Sequence, residues 1–452
     1  MNVRAIKNVY FIGVGGIGMS AVARFFNDRG VKVSGYDKTE TELTQKLVTE
    51  GIAIHYEDDL KLVDKETELV VYTPAVPKNH VELNWLKDNN YPVYKRSDVL
   101  QWITESLYSI TVAGTHGKTT TSTIISYLLR ETDFGCNAFL GGVSVNYDRN
   151  YWSSDQQVAV IEADEYDRSF LKLHPDIALL TSMDPDHLDI YGTVEEMEKA
   201  FIQYTQNIKS GGKLLVKYGM HREIEFNTTN KVTYSLQNDS ADAYATNILQ
   251  RHGGYVFDLV TPFGNIKQAS LCIGGMHNVE NTVAALTVGL MLGIDAEKLK
   301  TALANFKGVK RRFEYIVRNE NTVFIDDYAH HPEELAALIG SAKKLFPNLK
   351  CVVAFQPHLF TRTRDLAAGF AESLSMADQV LLLDIYPARE LPIEGVTSEI
   401  ITQKMVTPAH TILSKEGLLE FVRSSKIELL ITAGAGDIDR LVNPIKEILE
   451  NK

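Results

Sequence analysis

Short apolar runs alternate with helix-forming stretches along most of this chain. Runs of about four to eight β-branched and aromatic residues, bounded by glycine or polar residues, are typical of buried strands in a parallel sheet. Such runs predict strands at 9–12, 31–36, 68–72 and 91–94. The same alternation restarts near residue 110 and again near residue 322. The pattern therefore predicts an α/β protein with three domains, at residues 1–107, 108–313 and 314–452.

Residues 110–121 read ITVAGTHGKTTT, a β-branched run that ends in glycines, a lysine and hydroxyls. Small residues let successive backbone N–H groups point at phosphate oxygens, and the following helix adds its positive end. In such loops a lysine reaches the β and γ phosphates and a hydroxyl holds Mg²⁺. Here these are Lys118 and Thr119, in a shortened loop of Gly114, Thr115, His116, Gly117, Lys118, Thr119 and Thr120. The loop predicts ATP and Mg²⁺ binding, and the alternative is a glycine turn before an ordinary helix.

A second glycine-rich loop lies near the start of the chain and comprises Gly13, Gly15, Gly16 and Gly18. It follows the first predicted strand, and Asp37 stands about twenty residues further on. In this arrangement the glycines let a diphosphate approach the backbone, and the acid meets a ribose or a base. The pattern indicates a diphosphate nucleotide without saying which one. The alternative is that the glycines only allow close packing of helix and strand.

Two further loops follow strands of the first domain. Thr73 opens the stiff segment 73–77, TPAVP, at the end of one strand, where open α/β sheets bind ligands. Arg96 follows the next strand. Its guanidinium could bind a phosphate with two hydrogen bonds, or it could be a solvated surface residue.

Acidic residues follow two neighbouring strands of the second domain. Glu162 begins the sequence EADEYD at the end of the strand predicted at 157–162, and His187 lies within DPDHLD after the strand at 177–181. Four acids in six residues are costly to crowd together unless a cation compensates for their charge. We therefore expect Mg²⁺ at this edge, although a solvated acidic loop and a helix-capping histidine remain alternatives.

The rest of the second domain has weaker signals. Residues 213–267 contain short strand-like runs and predict an antiparallel extension. Asn278 and Asn281 stand one turn apart at the start of a helix, so both amides can face one ligand, or Asn278 can cap the helix. Arg311 and Arg312 close the domain, where they either balance charge on a transferred phosphoryl group or are solvated.

The strands predicted in the third domain end in histidine, arginine and acidic residues. Asp327 and His330 follow the strand at 322–325, and His358, Arg362 and Arg364 follow the strand at 351–355. Histidines and arginines on one edge of a sheet are suited to binding carboxylates. We therefore expect an anionic ligand there.

Composition narrows the class of protein. The 452 residues carry a formal charge of −12, which disfavours nucleic acid and anionic membranes as partners. The three cysteines are isolated, which indicates neither a metal site nor disulfides. No segment offers about 18 uninterrupted apolar residues. We therefore expect a cytoplasmic protein with no membrane span. The sequence does not distinguish a monomer from a homodimer.

In chain order, the motifs GVGGIG, AGTHGKTTT, EADE, DHLD, GMHNVEN, RRF, DDYAHHP and QPHLFTRT resemble those of the Mur ligase family. The resemblance covers nearly the whole chain. It implies a Rossmann-like domain that binds the UDP substrate, a central P-loop ATPase domain with a mostly parallel sheet, and a C-terminal Rossmann-like domain that brings the amino acid. The motifs are most similar to the branch of the family that joins L-alanine to UDP-N-acetylmuramate with ATP.

The resemblance implies roles for individual residues. The first glycine loop would bind the UDP diphosphate, and Lys118 would bind ATP phosphates. Thr119, Glu162 and His187 would hold magnesium. Asn278 and Asn281 would approach adenine, Arg312 phosphate, and Asp327 ribose. Lys118, His187, Arg312 and His330 would take part in catalysis, and the amino acid would be bound by His330, His358, Arg362 and Arg364.

Two positions depart from the family pattern. Leu359 stands where the alanine-adding branch usually has arginine, so the carboxylate would depend on Arg362 and Arg364. Ile202 stands where other Mur ligases have a carbamylated lysine, so we expect no carbamate. The alternatives are a recycling ligase that joins a ready-made tripeptide to UDP-N-acetylmuramate, a nucleotide-sensing binding protein, and an NAD-dependent dehydrogenase, which would leave the phosphate loop unexplained. The sequences QPHxxTRT and YPAREL favour alanine over the tripeptide.

Overall fold

The computed structural model describes residues 5–226, 229–388, 390–406 and 409–452. Arg389, in the YPAREL sequence that favours alanine, lies outside these residues. Across the described residues the strands form three sheets. The chain divides into two compact units. The first comprises 1–247, 257–269 and 280–305, and the second comprises 248–256, 270–279 and 306–452. The predicted three-domain boundaries stay predictions.

The N-terminal sheet has the strand order β3-β2-β1-β4-β5, and every pair in it is parallel. All five residues of its central strand are buried, as expected where helices cover both faces of a parallel sheet. The elements are β1 Asn8–Ile12, α1 Ile17–Asn27, β2 Lys32–Tyr36, α2 Glu42–Thr49, β3 Ala53–His55, β4 Leu69–Tyr72, α3 Val81–Asp88, β5 Val93–Lys95 and α4 Arg96–Ser106.

The second sheet has the strand order β15-β14-β13-β12-β11-β10-β6-β9-β7-β8. Its strands are β6 Tyr108–Ala113, β7 Asn137–Ser144, β8 Arg149–Trp152, β9 Val158–Glu162, β10 Ile177–Leu180, β11 Lys213–Lys217, β12 Lys231–Ser235, β13 Ala243–Arg251, β14 Gly254–Val260 and β15 Ile266–Leu271. Its helices are α5 Lys118–Glu131, α6 Leu188–Tyr191, α7 Val194–Gln206, α8 Met276–Met291 and α9 Ala296–Leu303.

The prediction of an antiparallel extension over 213–267 is wrong for its first part. Strand β11 pairs with β12 in parallel, and β12 pairs with β13 in parallel. Strands β13 and β14 are joined by the two residues 252–253, a connection that only antiparallel neighbours can make. Apolar alternation has the same period in both kinds of pairing, so the sequence pattern gave the strands without their direction.

The third sheet has the strand order β16-β17-β21-β18-β19-β20. Its pairs are parallel except for β16 with β17. Its elements are β16 Glu314–Arg318, β17 Val323–Asp327, α10 Pro332–Leu345, β18 Cys351–Phe355, α11 Phe360–Leu374, β19 Gln379–Leu382, α12 Glu399–Thr402, β20 Ala409–Ile412, α13 Lys415–Ser424, β21 Leu429–Ala433 and α14 Val442–Glu450. Among the described residues, no helix has the length and apolar character needed to cross a membrane.

Helix α1 joins the first two sheets within the first compact unit. The Phe25 ring packs against Phe139 and Tyr151 of β7 and β8, with ring centroids 5.4 and 6.4 Å apart. Arg24 is 2% exposed; it donates to Glu50 at 2.6 Å and also to Asn150. Apolar residues of both sheets belong to one continuous core. The two sheets are therefore packed together as one body.

Candidate active site

The phosphate loop connects β6 to α5 and is bent by two glycines. Gly114 has φ +131° and Gly117 has φ +80°. A Cβ at Gly114 would lie 2.1 Å from Thr181 Oγ1, and a Cβ at Gly117 would lie 2.6 Å from Asn281 Oδ1. Both positions therefore require glycine, and the second places the predicted nucleotide ligand Asn281 directly against the loop.

Residues after β10 support the other side of the loop. Ser182 Oγ lies 2.8 Å from Thr115 Oγ1 and accepts a hydrogen bond from the His116 N–H at 2.9 Å. Thr181 Oγ1 donates to the His116 carbonyl at 2.5 Å. His116 Nε2 lies 3.8 Å from Asp184, and both side chains are exposed. Residues 181–182, at the end of β10, thus fix one side of the loop through hydrogen bonds.

The Lys118 ammonium is bonded within the loop. It donates to the carbonyls of Gly114 at 2.6 Å and Thr115 at 3.3 Å, and to Glu165 Oε1 at 2.7 Å. Burial raises the pKa of Glu165 to about 7, against the opposing effect of the Lys118 charge. His187 Nε2 lies 3.9 Å from the same carboxylate oxygen.

The predicted magnesium ligands Thr119 and Glu162 lie in contact. Thr119 Oγ1 donates to Glu162 Oε1 at 2.9 Å, and the Gly141 N–H donates to Glu162 Oε2 at 2.9 Å. A Cβ at Gly141 would lie 2.3 Å from Glu162 Oε1, so glycine is required there. Burial raises the pKa of Glu162, although the Lys118 charge opposes the shift. A hydroxyl and a carboxylate at this spacing are oxygen ligands of the kind that Mg²⁺ prefers.

The first glycine loop has a different partner. The Gly15 N–H donates to Asp37 Oδ2 at 2.7 Å. Gly13 has φ +84°, and a Cβ there would lie 2.7 Å from Thr73 Cγ2. A Cβ at Gly18, the last glycine of the loop, would lie 2.9 Å from Arg96 Nη1. A Cβ at Gly16 would meet its nearest neighbour only at 3.6 Å. The structure therefore brings the predicted UDP-binding residues together around one loop.

A polar cluster in the same sheet region surrounds the buried side chain of Glu82. Tyr10 donates to Glu82 Oε2 at 2.6 Å, and the Asp59 N–H donates to Glu82 Oε1 at 3.0 Å. Asp58 accepts the N–H groups of Val81 at 2.8 Å and Glu82 at 2.9 Å. Asp58, Glu82 and the nearby His80 have spacing that could suit a metal ion. Because each carboxylate oxygen already accepts a hydrogen bond, we interpret the cluster as structural.

In the second compact unit, His330, His358 and Arg362 lie close together. The His330 and His358 ring centroids are 6.4 Å apart, and Arg362 Nη1 approaches His358 Nδ1 at 3.5 Å. Burial lowers the pKa of His330, which favours its neutral form. Arg364 differs from these residues because its guanidinium pairs with Asp365 at 2.7 Å and is exposed.

The remaining predicted residues of this unit have local partners. Asp327 accepts the N–H groups of Phe313 at 2.6 Å and Ala329 at 2.7 Å. The Arg312 guanidinium lies 5.4 Å from the centre of the Tyr328 ring. Asn278 Nδ2 donates to the Gly274 carbonyl at 2.7 Å. Burial raises the pKa of Asp327, with the Arg312 charge opposing it.

Comparison with known proteins accounts for nearly the whole chain. Residues 8–108 match the model for the Mur ligase family catalytic domain, 112–289 the Mur ligase middle domain, and 311–436 the Mur ligase glutamate ligase domain. A Phocaeicola vulgatus protein named UDP-N-acetylmuramate–L-alanine ligase is 47% identical over 459 positions, with 100% of both chains covered. The chain belongs to the Mur ligase family.

Other members of the Mur ligase family extend the comparison. A Cytophaga hutchinsonii protein with the same name is 44% identical, over 100% of this chain and 99% of that protein. The crystal structure of the Thermotoga maritima UDP-N-acetylmuramate-alanine ligase has a TM-score of 0.82 at 26% identity, covering 98% of this chain and 99% of that one. A Psychrobacter arcticus murein peptide ligase has a TM-score of 0.69 at 21% identity and shares the fold. The predicted family and the predicted α/β architecture are confirmed.

The sequence interpretation missed several residues around the Mur ligase phosphate loop. Glu165 lies in the acidic run that was predicted to bind a cation, but its partner is Lys118. Gly141 was missed because it lies in β7, whose glycines hide the strand pattern. Ser182 had a weak signal, since it directly follows the strand predicted at 177–181.

Proposed function

We propose that this Mur ligase joins L-alanine to the carboxylate of UDP-N-acetylmuramate, with ATP converted to ADP and phosphate. This reaction is the first stem-peptide step of peptidoglycan synthesis. The observation that carries the proposal is 47% identity over the whole chain with a protein of that name. The intact phosphate loop, with Lys118 and Thr119 at its end, supports ATP as the energy source. We place the reaction in the cytoplasm, where ATP is available.

The chemistry requires activation of a carboxylate. The muramate carboxylate oxygen attacks the γ phosphorus of ATP, the bond to the bridging oxygen breaks, and ADP leaves. The alanine amine then attacks the acyl phosphate, loses a proton, and expels phosphate. Lys118 would donate hydrogen bonds to the phosphates and offset charge that moves onto the bridging oxygen. The glycine loop at 13–18 would bind the diphosphate of the UDP substrate. The substrate carboxylate would thereby be held in one orientation toward ATP.

The residues present fit a magnesium ion beside this loop. Thr119 and Glu162 would hold it, because their oxygens already converge and Glu162 is fixed by Gly141. His187 would complete the set from the end of β10. Bound there, Mg²⁺ would neutralise phosphate charge.

The second unit would supply the amino-acid site. His330 and His358 would face the alanine, and Arg362 would bind its carboxylate. Leu359 immediately precedes α11 with φ +69°, and its N–H donates to the Tyr386 carbonyl at 2.9 Å. An apolar side chain at this position leaves the carboxylate to Arg362, with Arg364 as a weaker candidate because of its pairing with Asp365.

Phosphate release tests the proposal. The purified protein is given ATP, Mg²⁺ and UDP-N-acetylmuramate, with either L-alanine or the L-Ala-γ-D-Glu-diamino-acid tripeptide. We expect release with alanine alone. Release only with the tripeptide would instead assign the protein to cell-wall recycling. If phosphate is released neither with alanine nor with the tripeptide, the result would indicate a nucleotide-binding protein without ligase activity.

A further inference from the structure

We propose that Glu165 is a positioning residue for Lys118, and that Lys118 must exchange this carboxylate for phosphate when ATP binds. The inference deepens the proposed function, because it concerns the nucleotide site of the same enzyme. An ammonium group has three N–H donors. In Lys118 three oxygens surround that group: the carbonyls of Gly114 and Thr115, and Glu165 Oε1 at 2.7 Å. The lysine therefore cannot bond to a phosphate without releasing a partner.

Glu165 is held in place from outside the phosphate loop. Its carbonyl accepts hydrogen bonds from the Tyr191 hydroxyl at 2.6 Å and from the Arg168 N–H at 3.0 Å. Its side chain is 1% exposed, whereas that of Lys118 is 14% exposed. The Glu165 backbone is therefore anchored and its side chain is enclosed, so the longer, more exposed lysine side chain is the partner able to move.

Of the three partners, Glu165 has the greatest influence on nucleotide affinity. The two carbonyls are neutral and belong to the loop itself. Glu165 carries the negative charge that competes with phosphate for Lys118. A buried carboxylate that loses its cationic partner is an uncompensated charge, and this destabilises the protein. Its Oε2 is buried and has no hydrogen-bond partner among the described residues. The pair with Lys118 is thus the main interaction of this carboxylate, and ATP binding must work against it.

Removing the negative charge should therefore tighten nucleotide binding through Lys118. In Glu165→Gln the amide oxygen can still accept from the lysine, but the ion pair is gone. We expect the variant to bind a non-hydrolysable ATP analogue about tenfold more tightly at fixed Mg²⁺, the order of one hydrogen bond between charged groups. Turnover should fall, because the lysine is less firmly oriented.

The test is a double-mutant cycle measured by calorimetric titration with the analogue. The four proteins are wild type, Glu165→Gln, Lys118→Ala and the double variant. If Glu165 acts through Lys118, its substitution changes affinity in the wild-type background and has no effect in Lys118→Ala. Equal tightening in both backgrounds would show simple relief of charge repulsion and would overturn the proposal. Unchanged or weaker binding in Glu165→Gln alone would also overturn it.

A matched control lies two residues further along the same acidic run. Asp167 is exposed, and its carboxylate accepts the Ser169 N–H at 3.0 Å. Asp167→Asn removes the same charge and should change affinity by less than about twofold, since exposed charges are screened.

A second variant, Glu165→Asp, keeps the charge but shortens the side chain, and it serves if Glu165→Gln fails to fold. It should also tighten nucleotide binding, and unchanged binding would count against the proposal. These titrations require no ligation, so binding without alanine ligation would contradict the proposed function alone.

Discussion

The two glycine loops of the first compact unit have the same strand–loop–helix arrangement, but the charged side chains that contact them have opposite sign. Each follows a buried parallel strand and precedes a helix. In the first loop a carboxylate, Asp37, accepts the Gly15 N–H at 2.7 Å. In the second an ammonium, Lys118, donates to the Gly114 carbonyl at 2.6 Å. The first loop thus donates a backbone hydrogen bond to the carboxylate of Asp37. The second loop instead contains the positive charge of Lys118.

This difference distinguishes a loop that can bind a phosphate from a loop that can also promote phosphoryl transfer. Backbone N–H groups and a helix start are enough to bind a diphosphate, and the glycines at 13–18 offer these. Transfer of a phosphoryl group also needs positive charge where negative charge develops. In the proposed reaction Lys118 would supply this charge, and Thr119 with Glu162 would add an oxygen site for a cation. Similar glycine patterns therefore predict binding in both loops but chemistry in only one.

Removing the lysine is the most severe test of this contrast. We expect Lys118→Ala to lower turnover by roughly 100- to 1000-fold or more, while binding of UDP-N-acetylmuramate survives because the first loop is untouched. Phosphate release and calorimetric titration measure the two effects. The control is Lys46→Ala, which removes an exposed pair with Asp148 and should alter neither. Normal turnover in Lys118→Ala would remove the distinction between the loops.

The cation site proposed at the second loop should give the next largest effect. Glu162→Ala is expected to raise the Mg²⁺ concentration for half-maximal activity by about 10- to 100-fold, because Thr119 loses its carboxylate neighbour. Gly141→Ala should shift the titration in the same direction, since its Cβ would displace the Glu162 carboxylate. An unaltered Mg²⁺ titration in both variants would exclude Glu162 as a ligand.

A substitution in the first loop should affect the other substrate. Gly13→Ala places a Cβ 2.7 Å from Thr73 at φ +84°, a strain of about 1–3 kcal/mol. We expect the KM for UDP-N-acetylmuramate to rise about tenfold and the KM for ATP to stay constant. Gly30→Ala is the matched control, because it has φ +72° and nothing within 4 Å of the added Cβ. If both KM values rise together in Gly13→Ala, the loops do not serve separate substrates.

The smallest effect concerns the buried acids of the two regions. Burial raises the pKa of both Glu165 and Glu82 to about 7. Glu165 is paired with Lys118, whereas Glu82 accepts a hydrogen bond from the neutral Tyr10 hydroxyl. The folded protein then binds more protons than the unfolded chain between pH 4.5 and 7, so this group lowers stability as pH rises through that window. Glu82→Gln should remove the loss, which amounts to about 3 kcal/mol at most.

Urea unfolding of both proteins across this pH range gives the difference. Burial lowers the pKa of His55 and His80, so their contribution is lost in the opposite direction, as pH falls. Because both histidines are present in both proteins, their effect cancels. A pH-independent difference between the two stability curves would show that Glu82 is ionised in the folded protein.

Sequence patterns predicted the parts of the site that local chemistry determines. Glycine, lysine and threonine after a β-branched strand predicted the phosphate loop, and acids after neighbouring strands predicted that Glu162 would lie beside Thr119. The partner of Lys118 could not be predicted, because which of four acids faces the lysine depends on the turn after β9. Arg364 was grouped with Arg362 because Leu359 replaces the usual arginine of the family, whereas in the structure Arg364 pairs with its neighbour Asp365. The roles of all these residues stay predictions.

Sheet details were predicted unevenly for a related reason. Buried parallel strands such as β1, β10 and β18 are continuous apolar runs and were found to within about one residue at each end. Strand β20 was missed because all four of its residues are exposed. The pair β7 and β8 was missed because Gly141 and Gly142 interrupt it. These strands are formed by their neighbours more than by their own composition.

The position of α1 also determines how the protein can be divided. Arg24 and Phe25 belong to the first sheet's helix, yet their partners Asn150 and Phe139 belong to the second sheet. A fragment ending near residue 107 would expose that apolar face to water and leave a buried guanidinium with one partner fewer. The first two sheets should therefore unfold in a single cooperative thermal transition. A fragment designed for ligand screening at the first glycine loop should accordingly extend beyond β8 and include the second sheet, which shares its core.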